Sequence, residues 1–429
     1  MLLAALSSAT AVAQRPIDVT HYDARVVPDL AAKTVSGSVV VTLRVDVPAL
    51  AALALDTGAL TIDAVRLRSA SLAHSVADKK LHITLPRPAR AGDTFTITID
   101  YHGAPKFGLE FRPDRSEIYT IFSTSQWMPA IDAPGDRASL DLRVTLPAGL
   151  AAVGNGRLVS RTRTDDGRET LHWRQRRPLP SYLYGFAAGR YREVREQRGG
   201  ISLRHLATSF DEKQLQQIFA DTSDMLRFFA RRAGVRYPDE RYTQALVAQT
   251  IGQELGGFAL MSEDYGREVL DDARASGLIA HEIAHQWWGN GVTCDDWGHF
   301  WLNEGFANYM TAAYFEQRYG RNEYDRRIER WRKRVDELKA AGKDHALVYA
   351  QWNKPTADDR AVVYQKGAYV LHLLRERVGD AAFWKGIRGY TRKHFGKAVT
   401  TVDFQRAMER ASGEDLDDFF ARWVYAASH

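Results

Sequence analysis

Short runs in which apolar and polar residues alternate fill the first half of the chain, from residue 17 to about residue 206. The segments 39–45, 81–85 and 95–99 are the clearest, because each combines β-branched residues with a repeat of two. A repeat of two places alternate side chains on opposite faces of a strand, and the glycines and prolines between the runs are typical of turns. The pattern therefore predicts an all-β domain over residues 14–207.

The repeat changes near Thr208. Apolar residues in the segment 210–233 recur at the spacing of one helix face, and Gly234 is expected to end that helix. A short strand-rich stretch follows over residues 242–261. Helical spacing then dominates the segments 276–289, 302–319, 323–341, 361–378, 380–395, 402–412 and 415–427. We therefore expect a mixed, mainly helical domain over residues 208–429, and an α+β multidomain fold for the whole chain.

The composition is that of an ordinary globular protein, since 45% of the 429 residues are hydrophobic and 26% are charged. Lys and Arg (58) exceed Asp and Glu (53), which gives a net charge of +5. The basic residues are interleaved with acids, as in the segment 326–336, so we predict no nucleic-acid partner. Cys294 is the only cysteine. An internal disulfide is therefore impossible, and any metal site must use histidines and carboxylates.

Residues 1–14, M-L-L-A-A-L-S-S-A-T-A-V-A-Q, combine an apolar run with small residues at positions 11–13. That arrangement predicts a signal peptide over residues 1–13, and hence an exported protein, periplasmic or secreted. The basic residues that usually precede the apolar run are missing, so an Ala-rich N-terminus without a targeting role is the alternative. Later apolar stretches fall short of the roughly 18 residues that a membrane span requires, so we predict no membrane span.

The strongest chemical signal is the string H-E-I-A-H at residues 281–285. On a helix, residues four positions apart lie on one face, about 6 Å apart at Cβ. The imidazoles of His281 and His285 can therefore both bind one Zn²⁺. Glu282 lies beside them, where it can accept a proton from the attacking water without being a ligand. The alternative is that both histidines are ordinary core residues.

A third ligand follows after an 18-residue gap, in the string L-N-E-G-F-A-N at residues 302–308. Glu304, at the start of a second predicted helix, completes a set of two histidines and one glutamate. Three protein ligands leave one position of a tetrahedral zinc open for water, which distinguishes a catalytic zinc from a structural one. The apolar residues around these side chains indicate that they are buried, and a shared metal satisfies all three at once. We therefore predict one catalytic Zn²⁺ per chain.

These motifs resemble those of a known enzyme family. The string H-E-I-A-H-Q-W-W-G-N at 281–290, followed by W-L-N-E-G-F-A at 301–307, is similar to the gluzincin zinc aminopeptidases of peptidase family M1, the aminopeptidase N group. Further matches at 127–134, 182–189 and 416–424 extend the resemblance over nearly the whole chain. It implies an N-terminal antiparallel β domain, a saddle-like sandwich, followed by a thermolysin-like, mainly helical zinc-metallopeptidase domain. It also implies a short two-domain form, with a more open active site than in longer family members.

The resemblance assigns two further roles, of which the first is catalytic. The family has a tyrosine in a Y-x-K-G motif that donates a hydrogen bond to the oxyanion of the tetrahedral intermediate, and residues 364–367 match this motif. The resemblance thus implies that Tyr364 is a catalytic residue alongside Glu282. Donors aimed at such a developing charge lower the barrier considerably.

The second role is recognition of a free amino terminus, for which the family uses the glutamate of a G-x-M-E-N motif. This chain lacks that string, and two registers are open. One register aligns residues 256–260 and puts Ala259 in the place of the glutamate. The other aligns residues 251–255 and retains Glu254.

The register that retains Glu254 is favoured, because Gly257 and Glu263 then match the W-G-L-x-x-x-x-E that follows in the family. It implies that Glu254 binds the α-ammonium group of the substrate. It also implies that Gly256 and Gly257 contact the substrate backbone. The missing methionine and asparagine leave strict aminopeptidase specificity open.

Together these features predict a zinc-dependent metallopeptidase, an aminopeptidase that removes N-terminal residues from peptides. One alternative is a metallopeptidase, or another hydrolase on the same scaffold, without specificity for a free amine. Another is a non-catalytic binding module that has inherited the fold. The sequence carries no indication of the oligomeric state or of the preferred substrate side chain.

Overall fold

The computed structural model describes residues 15–352 and 354–427. The predicted signal peptide at residues 1–13 lies outside the described residues. Within them, the chain forms a β-rich N-terminal unit followed by a mixed, mainly helical C-terminal unit. This order agrees with the predicted α+β multidomain fold.

The longest strands of the N-terminal unit alternate buried and more exposed residues, as the repeat of two predicts. The strands of this unit are β1 (Ile17–Asp29), β2 (Thr34–Val45), β3 (Leu50–Asp56), β4 (Thr61–Leu67), β5 (Ala70–Ser71), β6 (His74–Ala77), β7 (Lys80–Ala89), β8 (Thr94–Gly103), β9 (Leu109–Arg112), β10 (Glu117–Thr120), β11 (Arg137–Leu146), β12 (Ala151–Gly154), β13 (Arg157–Arg163), β14 (Glu169–Pro180) and β15 (Phe186–Gly189).

These strands form three sheets around one apolar core. The largest sheet has the order β13-β14-β11-β1-β2-β8-β4-β5, and the smaller sheets have the orders β12-β15-β10-β9 and β3-β7-β6. Val39 of β2, Ile83 of β7 and Ile118 of β10 show that all three sheets contribute to the core. The pairing is antiparallel, as predicted, except between β1 and β11, which run parallel. A parallel pair needs a long connection, and residues 30–136 supply it.

The C-terminal unit combines a mixed sheet with helices. The sheet consists of β16 (Arg192–Arg198), β17 (Ile201–Ala207), β18 (Arg241–Val247), β19 (Gln253–Leu255) and β20 (Phe258–Ser262), in the order β16-β17-β18-β20-β19. A separate pair is formed by β21 (Val292–Cys294) and β22 (Lys397–Val399). The helices are α1 (Glu212–Ile218), α2 (Thr222–Ala233), α3 (Glu263–Asp271), α4 (Gly277–Ala284), α5 (Trp301–Tyr319), α6 (Arg321–Ala340), α7 (Ala357–Ala361), α8 (Gly367–Val378), α9 (Asp380–His394), α10 (Thr401–Ser412) and α11 (Asp417–Trp423), with a π-helical turn at Val362–Lys366.

The boundary between the units differs from the predicted domains 14–207 and 208–429. The strands β16 and β17 were expected in the β domain, but β17 pairs in parallel with β18. Val194 and Leu203 on these strands pack in the core of the C-terminal unit. Alternation predicts a strand but not the sheet that the strand joins, because pairing partners are distant in sequence. The structural boundary therefore lies near residue 190.

The helices follow the predicted segments with several differences: α3 was not predicted, and α4 ends at Ala284 although the segment was expected to reach residue 289. The segment 210–233 forms two helices, α1 and α2, with residues 219–221 between them. Gly234 ends α2 in a left-handed conformation, as expected. The segment predicted as 361–378 begins earlier, at Ala357, and contains the π-helical turn. Among the described residues, no helix is both long and apolar enough to cross a membrane.

A small apolar cluster joins the two units beside β19. Tyr119 and Val153 from the β10 and β12 strands pack with Leu255 and Leu260 from β19 and β20. Burial of this kind stabilises a contact by about 25 cal/mol for each Å² removed from water. The β unit therefore holds the edge strand of the mixed sheet in place.

His205 makes the stability of the protein depend on pH. It lies on β17, is 1% exposed and stacks on Phe219 with ring centroids 4.6 Å apart. Neither ring nitrogen has a hydrogen-bond partner among the described residues. Burial lowers the pKa of His205 to about 3. The folded protein thus keeps this ring neutral while the unfolded chain protonates it below about pH 6.5, so stability is lost as the pH falls through that range.

Lowering the pH from 7 to 5 is expected to cost about 2 kcal/mol of unfolding free energy through His205 alone. The substitution His205→Phe, which retains the stacked ring, removes this contribution. Urea denaturation at both pH values measures the difference. His82→Phe, at an exposed position of β7, serves as the control and should leave the pH dependence unchanged. An unaltered pH dependence in His205→Phe would contradict the assignment.

Candidate zinc centre and active site

Two helices bring the three predicted zinc ligands together. Helix α4 presents His281 one turn before its C-cap, His285, so their Nε2 atoms lie 3.0 Å apart. Glu304 lies in the first turn of α5, and its Oε2 is 3.2 Å from Nε2 of His281 and 3.4 Å from Nε2 of His285. All three side chains are buried. The gap of 18 residues therefore closes into one cluster of donor atoms.

The spacing of these atoms fits a tetrahedral zinc. Ligands about 2.0–2.1 Å from a zinc ion lie roughly 3.3 Å from one another at the tetrahedral angle. The observed separations of 3.0, 3.2 and 3.4 Å are close to that value. Oε2 of Glu304 has no hydrogen-bond partner in the described part of the chain. Because a buried carboxylate oxygen without a partner is costly, this donor set is suited to a bound cation.

The Nδ1 atoms of the two histidines, which face away from the metal site, each have a hydrogen-bond partner. Nδ1 of His285 lies 3.0 Å from the carbonyl oxygen of Trp288, and Nδ1 of His281 lies 2.9 Å from Oδ1 of Asn308. A carbonyl oxygen can only accept, so Nδ1 of His285 donates and Nε2 keeps its lone pair for the metal. Partners of this kind orient metal-binding histidines.

Glu282 occupies the position expected of a general base. Its side chain is buried, and its Oε2 has no hydrogen-bond partner among the described residues. Burial raises the pKa of Glu282 well above its usual range, and the carboxylates of Glu254 and Glu304 add to this effect against the opposing charge of His285. A carboxyl group with a raised pKa is able to accept a proton and then return it.

A glycine leaves room for this base. Gly252 precedes β19, and a Cβ atom at this position would lie 2.6 Å from Oε1 of Glu282. Its φ of +154° is also a conformation that residues with a side chain rarely adopt. The backbone before β19 can therefore approach Glu282 only because residue 252 lacks a side chain.

Glu254 lies in the same site. It is on β19, the edge strand of the mixed sheet, and donor atoms of Glu254, Glu282 and His285 all lie within 4.8 Å of one another. Burial raises the pKa of Glu254 to about 7. The pairing of β19 with β20 sets Glu254 directly opposite Ala259. The residues that the two registers put in the place of the family's glutamate are thus cross-strand neighbours. Of the two, only Glu254 has a carboxylate.

Gly256 and Gly257, which the sequence predicts to contact the substrate backbone, make structural hydrogen bonds within the protein. They form the turn between β19 and β20, and their backbone polar groups all have partners within the protein. The hydrogen bonds run from Gly256 N–H to Leu183 O (3.1 Å), from Gly257 N–H to Gln286 Oε1 (3.2 Å), from Asn155 Nδ2 to Gly256 O (3.1 Å) and from Thr243 N–H to Gly257 O (3.2 Å). The partners of this turn lie far away in sequence, so the motif match did not reveal them. The structure shows that these glycines fix the turn, and their contact with substrate stays a prediction.

Tyr364 reaches the site from the π-helical turn at Val362–Lys366. Its ring is stacked on that of His281, with centroids 6.2 Å apart and planes at 10°. Burial, together with the charge of Glu304, raises the pKa of Tyr364 well above its usual range. The phenol therefore stays protonated and can donate a hydrogen bond. A π-helical turn is rare and often occurs at functional sites.

Two amide side chains that we did not single out from the sequence fix the edge strand to the zinc-binding helix. Gln286 Nε2 and Asn290 Nδ2 both donate to the carbonyl oxygen of Leu255, over 3.1 and 3.0 Å. Both residues are fully buried, where a polar group requires a partner. Their presence in the string H-E-I-A-H-Q-W-W-G-N was the available signal. They hold Glu254, next to Leu255, at a fixed distance from the metal ligands.

Models of protein families match both units. The peptidase family M1 domain matches residues 221–423, and the peptidase M1 N-terminal domain matches residues 18–183. The chain belongs to peptidase family M1. The resemblance seen in the sequence motifs is thereby confirmed, together with the two-unit fold that it implied.

Curated M1 relatives match nearly the whole chain. Aminopeptidase 2 of Saccharomyces cerevisiae, a mitochondrial protein, is 24% identical over 94% of this chain and 46% of its own length. Aminopeptidase N of Lactococcus lactis is 28% identical over 85% of this chain and 46% of its own length. Leukotriene A-4 hydrolase of Xenopus laevis is 26% identical over 91% of this chain and 67% of its own length. The chain thus spans about half the length of the first two relatives.

Solved M1 structures of similar size match more completely. The M1 zinc metallopeptidase of Deinococcus radiodurans has a TM-score of 0.81 and 27% identity, over 97% of this chain and 95% of its own. A variant of a two-domain M1 zinc metallopeptidase bound to L-arginine has a TM-score of 0.82 and 26% identity, over the same shares. The two-domain architecture therefore also occurs in M1 proteins whose structures are known.

Proposed function

We propose that this M1 protein is a zinc-dependent aminopeptidase that removes N-terminal residues from peptides. The observation that carries the proposal is the position of Glu254. This buried carboxylate lies within 4.8 Å of the general base Glu282 and of the zinc ligand His285. A carboxylate held this close to the reacting carbonyl suits a substrate whose α-ammonium group is one residue from the scissile bond. The aminopeptidases among its relatives support the same proposal.

The donor atoms of His281, His285 and Glu304 would hold the metal. Zinc, when bound there, lowers the pKa of a coordinated water and polarises the scissile carbonyl. Glu282 accepts a proton from the attacking water as the water oxygen bonds to the carbonyl carbon. It then delivers that proton to the amide nitrogen as the carbon–nitrogen bond breaks. The phenol of Tyr364 donates a hydrogen bond to the carbonyl oxygen while negative charge develops on it.

The main alternative is a metallopeptidase, or another hydrolase, without specificity for a free amine. It is favoured by the departure of residues 251–255 from the family's G-x-M-E-N motif. The third hypothesis is a non-catalytic binding module that has inherited the fold. It would dispense with the general base or with a ligand, whereas all four side chains are present and close together.

Glu254→Gln tests the proposal, because it keeps the shape of the side chain and removes its charge. Loss of one partner from a buried charge pair costs about 2 kcal/mol or more, so we expect kcat/KM for aminoacyl-arylamides to fall about 30-fold or more. The parent protein should cleave an N-acetylated peptide far more slowly than the free peptide. Steady-state kinetics on both substrates measure these effects.

The matched control is Glu268→Gln, at an exposed position of α3, which should leave both rates unchanged. If the parent protein cleaves the free and the acetylated peptide equally well, Glu254 does not bind the substrate amine. The main alternative, a hydrolase without specificity for a free amine, would then be favoured. If the protein binds one zinc ion per chain but cleaves no peptide, the non-catalytic binding module would be favoured.

A further inference from the structure

We propose that Asn308 is a positioning residue that couples the zinc ligand His281 to the oxyanion tyrosine, Tyr364. The inference deepens the proposed function and rests on it, since it assigns how two parts of that active site are held in register. One carboxamide makes both connections. Its oxygen is bonded to the metal-ligand side and its nitrogen to the tyrosine side.

The contacts are direct. Asn308 lies one turn after Glu304 on α5, so both side chains are on the same face of that helix. Oδ1 of Asn308 lies 2.9 Å from Nδ1 of His281. Nδ2 of Asn308 donates to the backbone carbonyl oxygen of Tyr364 over 3.0 Å. The side chain thus bridges segments that lie 27 and 56 residues away in the sequence.

The chemistry of the groups fixes the direction of each hydrogen bond. The carbonyl oxygen of Tyr364 can only accept, so the amide nitrogen of Asn308 must face it. The amide oxygen therefore faces His281, and Nδ1 of that ring must carry its proton. Nε2 of His281 is left with its lone pair directed at the metal site, which is the form that binds zinc.

The approach of two helices makes this bridge possible. A Cβ atom on Gly305 would lie 3.0 Å from Cα of Gly367, so α5 and the start of α8 touch backbone to backbone. On the other side of the π-helical turn, Nζ of Lys366 bonds both carboxylate oxygens of Asp344, over 2.8 and 3.0 Å. The turn that carries the tyrosine is therefore held from both sides, and Asn308 is the contact that also reaches the zinc site.

It follows that the position of Tyr364 and the orientation of the His281 ring are linked through one carboxamide. If the π-helical turn moves away, the nitrogen of Asn308 loses its acceptor, and the amide is free to rotate. A rotated amide presents N–H groups to Nδ1 of His281 and favours the form of the ring that does not bind zinc. Only when the turn is in place are the metal ligand and the oxyanion donor both set for catalysis.

Asn308→Leu removes both hydrogen bonds. Loss of a partner behind a metal-binding histidine commonly lowers metal affinity about 10- to 100-fold. We expect a fall of that size in zinc affinity, measured by competition with a chelator, and a fall in kcat for aminoacyl-arylamides. The zinc measurement needs no substrate.

Asn308→Asp separates the two connections. A carboxylate still accepts from Nδ1 of His281, so zinc affinity should stay close to that of the parent protein. The second carboxylate oxygen faces the carbonyl of Tyr364, where it repels instead of donating. We therefore expect kcat to fall about tenfold or more, with a much smaller change in KM, because the lost contact acts on the oxyanion donor.

Thr311→Val is the matched control. Thr311 lies on the same helix and its hydroxyl donates to the carbonyl oxygen of Ala307 over 2.8 Å, away from the zinc ligands. Its zinc affinity and kcat should match the parent protein even if its melting temperature falls. The proposal is overturned if Asn308→Leu keeps the parental zinc affinity, or if Asn308→Asp keeps the parental kcat. If the zinc affinities behave as expected and the parent protein cleaves no arylamide, the aminopeptidase proposal fails and the link to His281 stands.

Discussion

Replacing Glu282 with glutamine is expected to lower kcat roughly 10²- to 10⁴-fold, the range that a general acid–base residue contributes. Glutamine has nearly the same shape, so the packing beside Gly252 is kept. It cannot accept the proton of the attacking water or deliver one to the leaving amine. Glu282 is not among the three side chains whose donor atoms fit the metal, so zinc content should remain at one ion per chain.

Steady-state kinetics with aminoacyl-arylamides, together with elemental analysis of the purified protein, measure both parts of this expectation. Glu268→Gln provides the control for loss of a glutamate at an exposed position. A Glu282→Gln variant that retains its zinc and hydrolyses substrate at the parental rate would show that another group takes the proton. A variant that loses its zinc would place Glu282 among the ligands instead.

Removing the carboxylate of Glu304 is expected to abolish zinc binding and activity together. Oε2 of Glu304 lies 3.2 and 3.4 Å from the two histidine nitrogens and has no other partner among the described residues. In Glu304→Ala, two buried histidines remain as donors, too few for a stable catalytic site. A bound zinc ion lowers the activation barrier by several kcal/mol, so its loss should reduce the rate about 10³-fold or more.

The parent protein treated with a chelator should lose activity in the same way and regain it with one equivalent of zinc. Burial lowers the pKa of His285, but the carboxylates of Glu304 and Glu254 outweigh it and raise the pKa to about 10 in the metal-free protein. Zinc must therefore displace a proton, so below that value the zinc affinity should rise about tenfold for each unit by which the pH is raised. Glu337→Ala, at a half-exposed surface pair on α6, is the control. Parental zinc content in Glu304→Ala would contradict the ligand set.

The sequence predicted those parts of the site that local geometry determines. The spacing of His281 and His285 on a helix brings two nitrogens to 3.0 Å because four residues make about one helical turn. Strands such as β2 and β8 follow from alternation along one segment. In each case the interacting residues are close in sequence, or the pattern repeats within a single element.

The remaining features depend on partners far away in the chain. The partners of Gly256 include Asn155 and Leu183, and nothing in the local string shows that its polar groups are already bonded. The choice between Glu254 and Ala259 is a choice of register, and the sequence alone does not show that the two residues lie opposite each other on β19 and β20. Motif spacing alone cannot supply such information, because it contains no three-dimensional contact.

The sheet of the C-terminal unit also bears on how M1 domains can be exchanged between proteins. The match to the N-terminal domain ends at residue 183 and the match to the peptidase domain begins at residue 221. The strands β16 and β17 therefore lie between the two matches. A chimaera joined at residue 208 would take β17 from one parent and β18 from the other, and would place a foreign partner along the ladder from Ser202 to Leu206. A junction near residue 190, between β15 and β16, leaves that ladder within one parent. The loop between β15 and β16, which precedes the mixed sheet of the C-terminal unit, is therefore the most suitable junction for such a chimaera.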